Sequence, residues 1–291
     1  MENLKTIFLG NPEFALPSLE ALIKENYQIA GIITSPDKPV GRKQILTPPP
    51  VKVLAKKYNL PVYQPKDKNE LLEIVKKLQP DLAVVVAYGM LLPKEVLDIP
   101  KYGFINVHPS LLPKYRGAAP IQAAILNGDE KTGVSLFLID KKMDNGPILA
   151  RRELKSPILN SKFLILSNEL AKIGADLLIE TLPKYINGEI TPLPQNNSQA
   201  TYTKKIKTED AFIDLAALQL AMQGEPRPAG REKAIEMERK IRALNPEPGT
   251  WTLQQVQGKP MRMKILEAEL TADWKLKLKK IQYEGKKPVE V

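Results

Sequence analysis

Three short runs constrain the fold more than any other feature of this chain. Residues 5–10 (KTIFLG), 29–34 (IAGIIT) and 82–87 (LAVVVA) are apolar at almost every position and rich in valine and isoleucine. A strand wet on one face alternates apolar with polar residues, whereas an unbroken apolar run belongs to a strand covered on both faces, as in parallel sheets flanked by helices. The segments between the runs supply those helices. Leu16, Leu19, Leu22 and Ile23 repeat on one face after Pro17, and Leu71, Leu72, Val75 and Leu78 do likewise. Strands alternating with helices predict an open, mostly parallel α/β sheet of the Rossmann-like kind, with ligands bound at the carboxyl ends of the strands. The sheet is expected to continue through residues 104–107 and 134–139, with a helix over 118–126 between them and a long helix over 162–187.

From Gly188 to Thr201 the sequence turns polar and proline-bearing (GEITPLPQNNSQAT), which reads as a linker. This predicts a first domain over 1–187, a linker over 188–204 and a second domain over 205–291. The second holds a helix around 233–244 and alternating pieces such as MRMKILEAEL and WKLKLKKIQ, consistent with a small β-rich fold. The chain has no cysteine and a single histidine, which removes disulfides, thiolate nucleophiles and a histidine-built metal site together, so the expected chemistry is metal-free. No run approaches a membrane span, and MENLKTIFLG passes straight into a strand-like segment, so a cytoplasmic location is expected. A net charge of +10 and a pI near 9.4 fit a polyanionic partner, although lysines that merely solvate the surface give the same sum.

The one histidine, His108, stands two residues after Asn106 in GFINVHPSLLPKYRGAAP. Residues two apart on a strand face the same side, so both can project beyond the sheet's carboxyl edge before Pro109 ends the ladder. An amide donor beside an imidazole suits an oxyanion together with a proton transfer, the two needs of acyl transfer. A buried histidine satisfied by a backbone carbonyl is the competing reading. Asp144, in the turn DKKMDNGPIL, follows the strand at 134–139 and is expected to return to the same edge, where a carboxylate would favour the imidazolium. It also fits a turn aspartate bonded to its own backbone. The loop SPDKPVGRKQILTPPPVK leaves the second strand and carries Lys38, Arg42 and Lys43, as a basic finger or as a solvated insertion.

Taken in order, GNPEFALPSLEAL, TSPDKPVGRKQILTPPPVK, VVAYGMLLPKEVL, INVHPSLLPKYRGAAPIQAAILNGDEKTGVSLFLIDKKMDNGPIL and TYTKKIKTED resemble successive blocks of the methionyl-tRNA formyltransferase family. The blocks cover nearly all of residues 5–210. The Asn-x-His, Ser-Leu-Leu-Pro and aspartate elements are shared by the wider folate-dependent formyltransferases. The Arg42 loop and TKKIKTED are more specific to the tRNA enzyme.

The resemblance implies a formyltransferase sheet followed by a small OB-like domain that grips tRNA. It implies transfer of a formyl group from 10-formyltetrahydrofolate, as co-substrate, to the amine of initiator methionyl-tRNA by a monomer without metal. Asn106, His108 and Asp144 match the catalytic trio. Ser110, Leu111, Leu112 and Pro113 match the folate-contacting stretch, with Tyr88 and Gly89 on another wall, and Arg42, flanked by Lys38 and Lys43, matches the arginine that meets the tRNA. The second half departs from the pattern. Leu215 and Glu247 stand where tryptophans are usual, the β-rich end is short, and residues 216–232 lack the expected apolar anchors, which predicts a passage that is mobile and protease-sensitive without tRNA. A sugar-nucleotide N-formyltransferase would keep the trio, as would a formyltetrahydrofolate hydrolase or a glycinamide ribonucleotide formyltransferase. An idle nucleic-acid-binding protein would not need it.

Overall fold

The computed structural model describes residues 4–41, 43–155, 158, 160–224, 228–256 and 258–291. Two compact units emerge: one gathers Met1–Arg116, Thr132–Lys155 and Ser167–Tyr202, the other Gly117–Lys131, Ser156–Leu166 and Thr203–Val291.

The first unit is built on the apolar runs. Its strands are β1 (Lys5–Gly10), β2 (Gln28–Ile33), β3 (Val62–Tyr63), β4 (Leu82–Val86), β5 (Phe104–His108), β6 (Gly133–Leu138) and β7 (Ile148–Glu153), in the order β7-β6-β5-β4-β1-β2-β3. Strands β3, β2, β1, β4 and β5 pair in parallel, and β4 is buried at all five positions, as its unbroken apolar run requires. Helices α1 (Leu16–Lys24), α2 (Pro50–Lys57), α3 (Lys68–Leu78) and α4 (Lys94–Leu97) fill the crossovers. Leu71 and Val75 of α3 are fully buried with Ile7, Leu9, Ile33 and Phe104 in one core. Asp67 caps α3 by accepting from Asn69 N and Glu70 N at 2.8 and 3.0 Å, which satisfies two of the helix's orphan donors.

The last two strands break the parallel rule. β6 runs antiparallel to β5, and β7 antiparallel to β6 as its hairpin partner. The register sets His108 against Ser135 and Ile105 against Leu138. The end of β6 therefore lies at the amino end of β5, opposite to what a parallel strand would give.

The stretch expected as a linker is held along the first unit. Ile148 and Leu193 exchange both backbone hydrogen bonds, at 2.8 and 2.9 Å, and Gln195 is 8% exposed.

In the second unit, α5 (Pro120–Asn127) packs against α8 (Pro228–Leu244), which starts several residues before the expected position. Helix α6 (Phe163–Ile186) begins in this unit and carries on into the first. Strands β8 (Trp251–Val256), β9 (Lys259–Leu270), β10 (Leu276–Tyr283) and β11 (Val289–Glu290) make an antiparallel sheet in sequence order, the expected β-rich end. The passage 216–232 corrects the expectation that it lacks apolar anchors. Leu215–Gln223 forms α7, capped by Asp214 accepting from Ala217 N at 2.9 Å, and Leu218 and Ala221 are buried among Ile213, Ile241 and Ile265. A leucine and an alanine three apart on one helical face supply the anchor that a search for tryptophan overlooks. Residues 225–227 of that passage lie outside the described residues.

Candidate active site

β5 delivers Asn106 and His108 to one side of the sheet, as the two-residue repeat of a strand requires. His108 is 4% exposed. Its Nε2 lies 2.9 Å from the carbonyl of Tyr115, and because a carbonyl only accepts, Nε2 carries a proton there. Nδ1 faces Asp144 Oδ2 at 3.7 Å. The ring stands edge-on to Phe137, with centroids 6.3 Å apart. One ring nitrogen is thus satisfied by the backbone, and the other faces a carboxylate. Asn106 is half-buried, and its amide has no hydrogen-bond partner among the described residues.

Asp144 reaches His108 by a route that the sequence does not suggest. Ile139 N donates to Phe104 O at 2.8 Å, which fixes the start of the β6–β7 turn at the amino end of β5. From the level of Ile105 to that of His108 is three strand residues, roughly 10 Å at about 3.3 Å each. The turn must double back over that distance. It does so with Asp144 in the left-handed region, at φ +48. Gly146 lies so close that a Cβ there would sit 1.7 Å from the Leu138 carbonyl, so no side chain is tolerated. Leu138 N donates to Pro147 O at 2.9 Å and closes the turn.

The loop after His108 is held by side chains that carry no motif of their own. Ser135, wholly buried, donates to Ser110 O at 2.7 Å and accepts from Leu112 N at 2.9 Å. Ser110 donates to Lys114 O at 2.5 Å. Leu112 is buried with Phe137 and Ile148, whereas Leu111 and Pro113 are half-exposed and remain open to a ligand. Arg116 is the largest fully buried side chain, at 1% exposure. It donates to Gln195 Oε1 from Nε and Nη2 (3.0 and 2.7 Å), to Asn197 Oδ1 from Nη2 (2.9 Å), and to Asn145 Oδ1 and the Tyr202 hydroxyl from Nη1 (3.0 and 3.1 Å). Desolvating a guanidinium costs several kcal/mol unless its donors are used, and this fork is well supplied.

Tyr88 and Gly89 follow β4. The Tyr88 ring packs in the core with Val85 and Val96, and its hydroxyl is buried with no partner among the described residues. Burial pushes that phenol up to about 12. Tyr88 meets the sheet edge through its carbonyl, which accepts from Asn11 Nδ2. Asn11 also accepts from Thr34 Oγ1 and Ser35 N at 2.9 and 2.7 Å, and so ties the ends of three strands together. Gly89, at φ +85, is exposed, as are Leu91 and Met143 nearby in sequence to the edge residues. Exposed backbone and apolar side chains at such an edge suit a flat heteroaromatic ligand.

The basic loop forms a hairpin, Lys38–Val40 against Ile45–Thr47, with Val40, Ile45 and Leu46 exposed and Lys38 and Lys43 in solvent. Arg42 lies outside the described residues. At the hairpin's base Lys52 Nζ binds both oxygens of Asp37 (2.7 and 2.8 Å) and Gln64 Oε1 (2.7 Å), and the hydrogen bonds from Lys52 and Gln64 hold the Asp37 carboxyl below its usual range. In the second unit, β10 turns Leu276 and Leu278 inward and Lys277 outward. A separate cavity of about 460 Å³ there is lined by Gln122, Phe163, Lys205, Thr208 and Glu247, among others. Among the described residues no three histidine, cysteine or acidic side chains gather as metal ligands, and no helix is long and apolar enough to cross a membrane.

Residues 4–182 match the family described as formyl transferase. The methionyl-tRNA formyltransferase of Chloroflexus aurantiacus is 44% identical over 272 residues, which span 93% of this chain and 82% of that protein. Among solved structures, the methionyl-tRNA formyltransferase of Clostridium thermocellum superposes with a TM-score of 0.60 at 17% identity, covering 99% of this chain and 100% of that one. HypX from Aquifex aeolicus, solved in complex with tetrahydrofolic acid, gives a TM-score of 0.67 at 16% identity, with all of this chain matched to 46% of that longer protein. With the family matched across the sheet and the site, and the relatives matched into the β-rich end, the chain belongs to the formyl transferase family, among the methionyl-tRNA formyltransferases.

Proposed function

We propose that Asn106, His108 and Asp144 carry out the transfer. The enzyme moves a formyl group to methionyl-tRNA, with a folate as the one-carbon carrier. The formyl donor in this reading is 10-formyltetrahydrofolate, the acceptor is the α-amine of initiator methionyl-tRNA, and the chain acts as a cytoplasmic monomer.

The observation that carries the assignment is the pairing of a free amide with a half-committed imidazole on one strand end. The amine nitrogen attacks the formyl carbon, and the carbonyl oxygen gathers negative charge. Asn106, whose side chain has no partner among the described residues, is free to donate to that oxygen. Nε2 of His108 is already given to Tyr115, which leaves Nδ1, on the Asp144 side, as the nitrogen for the reacting centre. Collapse breaks the bond from the formyl carbon to the folate nitrogen. One proton passes from the attacking amine to that nitrogen, and His108 beside Asp144 is placed to relay it. Leu111, Pro113, Gly89 and the main chain at Ser110 are assigned to the folate wall. Leu112 and the Tyr88 ring support it from the core. We assign the chemistry to the first unit, and the tRNA grip to Lys38, Arg42, Lys43 and the lysine-bearing strands of the second.

The test compares formyl acceptors at a fixed concentration of 10-formyltetrahydrofolate. Charged methionyl-tRNA should be formylated, while uncharged tRNA and UDP- or dTDP-linked amino-sugars should not. Transfer to an amino-sugar at a higher kcat/KM than to charged tRNA would overturn the reading.

A further inference from the structure

Asp144 cannot face His108 unless the β6–β7 turn stays doubled back, and the turn's own hydrogen bonds, Leu138 N to Pro147 O and Asn145 Nδ2 to Asp140 Oδ2, lie away from the main-chain carbonyls of Asp144 and Gly146. The left-handed φ of +48 at Asp144 is a costly conformation for a residue other than glycine. Contacts to those carbonyls come from a segment some fifty residues further along the chain. Gln195 Nε2 donates to Asp144 O at 2.9 Å and to Gly146 O at 2.8 Å. Gln195 is itself aimed. Its Oε1 receives Nε and Nη2 of Arg116, and because a guanidinium only donates, the oxygen must face Arg116 and the NH2 group must face the turn. The same arginine follows Tyr115, whose carbonyl holds Nε2 of His108. The backbone on both sides is strapped to Thr201: Tyr115 N donates to Thr201 Oγ1 and Arg116 N to Thr201 O, each at 2.8 Å.

We infer that Arg116 and Gln195 are positioning residues for formyl transfer, with Arg116 orienting the Gln195 amide and Gln195 pinning the reversed turn so that Asp144 stays opposed to His108. Neither touches the reacting atoms. Their effect is transmitted through the Asp144 main chain on one side of the imidazole and the Tyr115 carbonyl on the other. The inference rests on the catalytic assignment of His108 and Asp144 made above.

Gln195→Glu separates positioning from folding. Glutamate keeps acceptors for Arg116, replacing the neutral amide by a carboxylate that pairs with the guanidinium, but has no N–H to give to Asp144 O and Gly146 O. At saturating formyl donor and methionyl-tRNA, kcat should fall by about tenfold or more, because small displacements of a reacting group are costly, while both KM values stay within about twofold. The thermal midpoint and circular dichroism should stay close to the parental protein, and Gln195→Ala should lose at least as much kcat. Parental kcat in Gln195→Glu, or a loss confined to KM, would overturn the inference. Should the glutamate variant fail to fold, Arg116→Lys decides in the same terms, since lysine keeps the charge but not the fork that aims Gln195. His108→Ala, run beside them, keeps the two ideas apart. If it turns over normally, the catalytic assignment fails, whereas a dead His108→Ala with a fully active Gln195→Glu removes only the positioning role.

Discussion

Ser135→Ala should loosen the loop after His108 by an amount that the hydrogen bonds fix. The hydroxyl is wholly buried and serves two backbone groups at once, the Ser110 carbonyl at 2.7 Å and the Leu112 N–H at 2.9 Å. Alanine fills nearly the same volume, so the packing cost is small and the loss comes from two orphaned polar groups in a dry place. Each is worth about 1–3 kcal/mol when left unpaired, and the pair together about 2–4 kcal/mol after local relaxation. In a body of this size 1 kcal/mol moves the melting midpoint by roughly 2–4 °C, so calorimetry should show the first unit melting about 4–16 °C lower. The same loop carries Leu111 and Pro113, so KM for the formyl donor should rise several-fold, with kcat reduced less. Ser135→Thr, which restores the hydroxyl at the expense of one extra methyl, should recover part of both. A midpoint within about 1 °C of the parental protein would refute the idea that this hydroxyl holds the loop.

Asn106→Ala and His108→Ala should each cut kcat by about a hundredfold or more, the usual loss for an oxyanion donor, with folate binding by fluorescence titration retained; near-parental turnover with chemistry rate-limiting would remove them from the mechanism. The Tyr88 phenol keeps its proton to about 12, while an unfolded tyrosine releases it near 10, so the unfolded chain binds fewer protons above pH 10 and stability falls as pH rises from 10 to 12. Two pH units correspond to about 2.7 kcal/mol, so Tyr88→Phe should flatten the alkaline end of a denaturation series by that order without loss at neutral pH; unchanged alkaline curvature would count against it. Arg42→Ala should weaken use of charged tRNA and reduce the log-log salt slope by about one, with folate affinity unchanged. A loss confined to folate would place Arg42 elsewhere.

What the sequence makes legible is whatever depends on near neighbours. The fully apolar run of β4 can only be an inner strand, and the Asn106–His108 spacing alone puts both side chains on one face. Asp144 shows where such reading stops. The residue does come to the histidine, as expected, but antiparallel pairing ends β6 at the opposite edge, so the turn has to double back to bring it there. Strand direction at a sheet edge depends on the connection, and an apolar run reads the same in both directions. Arg116 and Gln195 were hidden for another reason. They sit 79 positions apart, the arginine looks like one more basic surface residue, and the glutamine lies in a polar, proline-bearing stretch that resembles a linker. Only the resemblance of the whole PKYRGAAP block could have drawn attention to the first, and no local pattern marks the second. In the tail, Leu218 and Ala221 are hard to read from sequence because small apolar residues make a weak periodic signal beside the glycine and prolines that follow.

The second unit is assembled from Gly117–Lys131, Ser156–Leu166 and Thr203–Val291. On the ribosome, α5 emerges long before its packing partner α8 has been made. The α5 side of that packing must therefore wait through the synthesis of about a hundred residues before α8 exists. Such a chain is poorly suited to completing one unit before the other begins, the usual vectorial order for domains joined by a single tether. Cutting the gene after residue 187 would sever α5 from α8 for good, leaving a fragment that lacks this packing, whatever the state of its sheet.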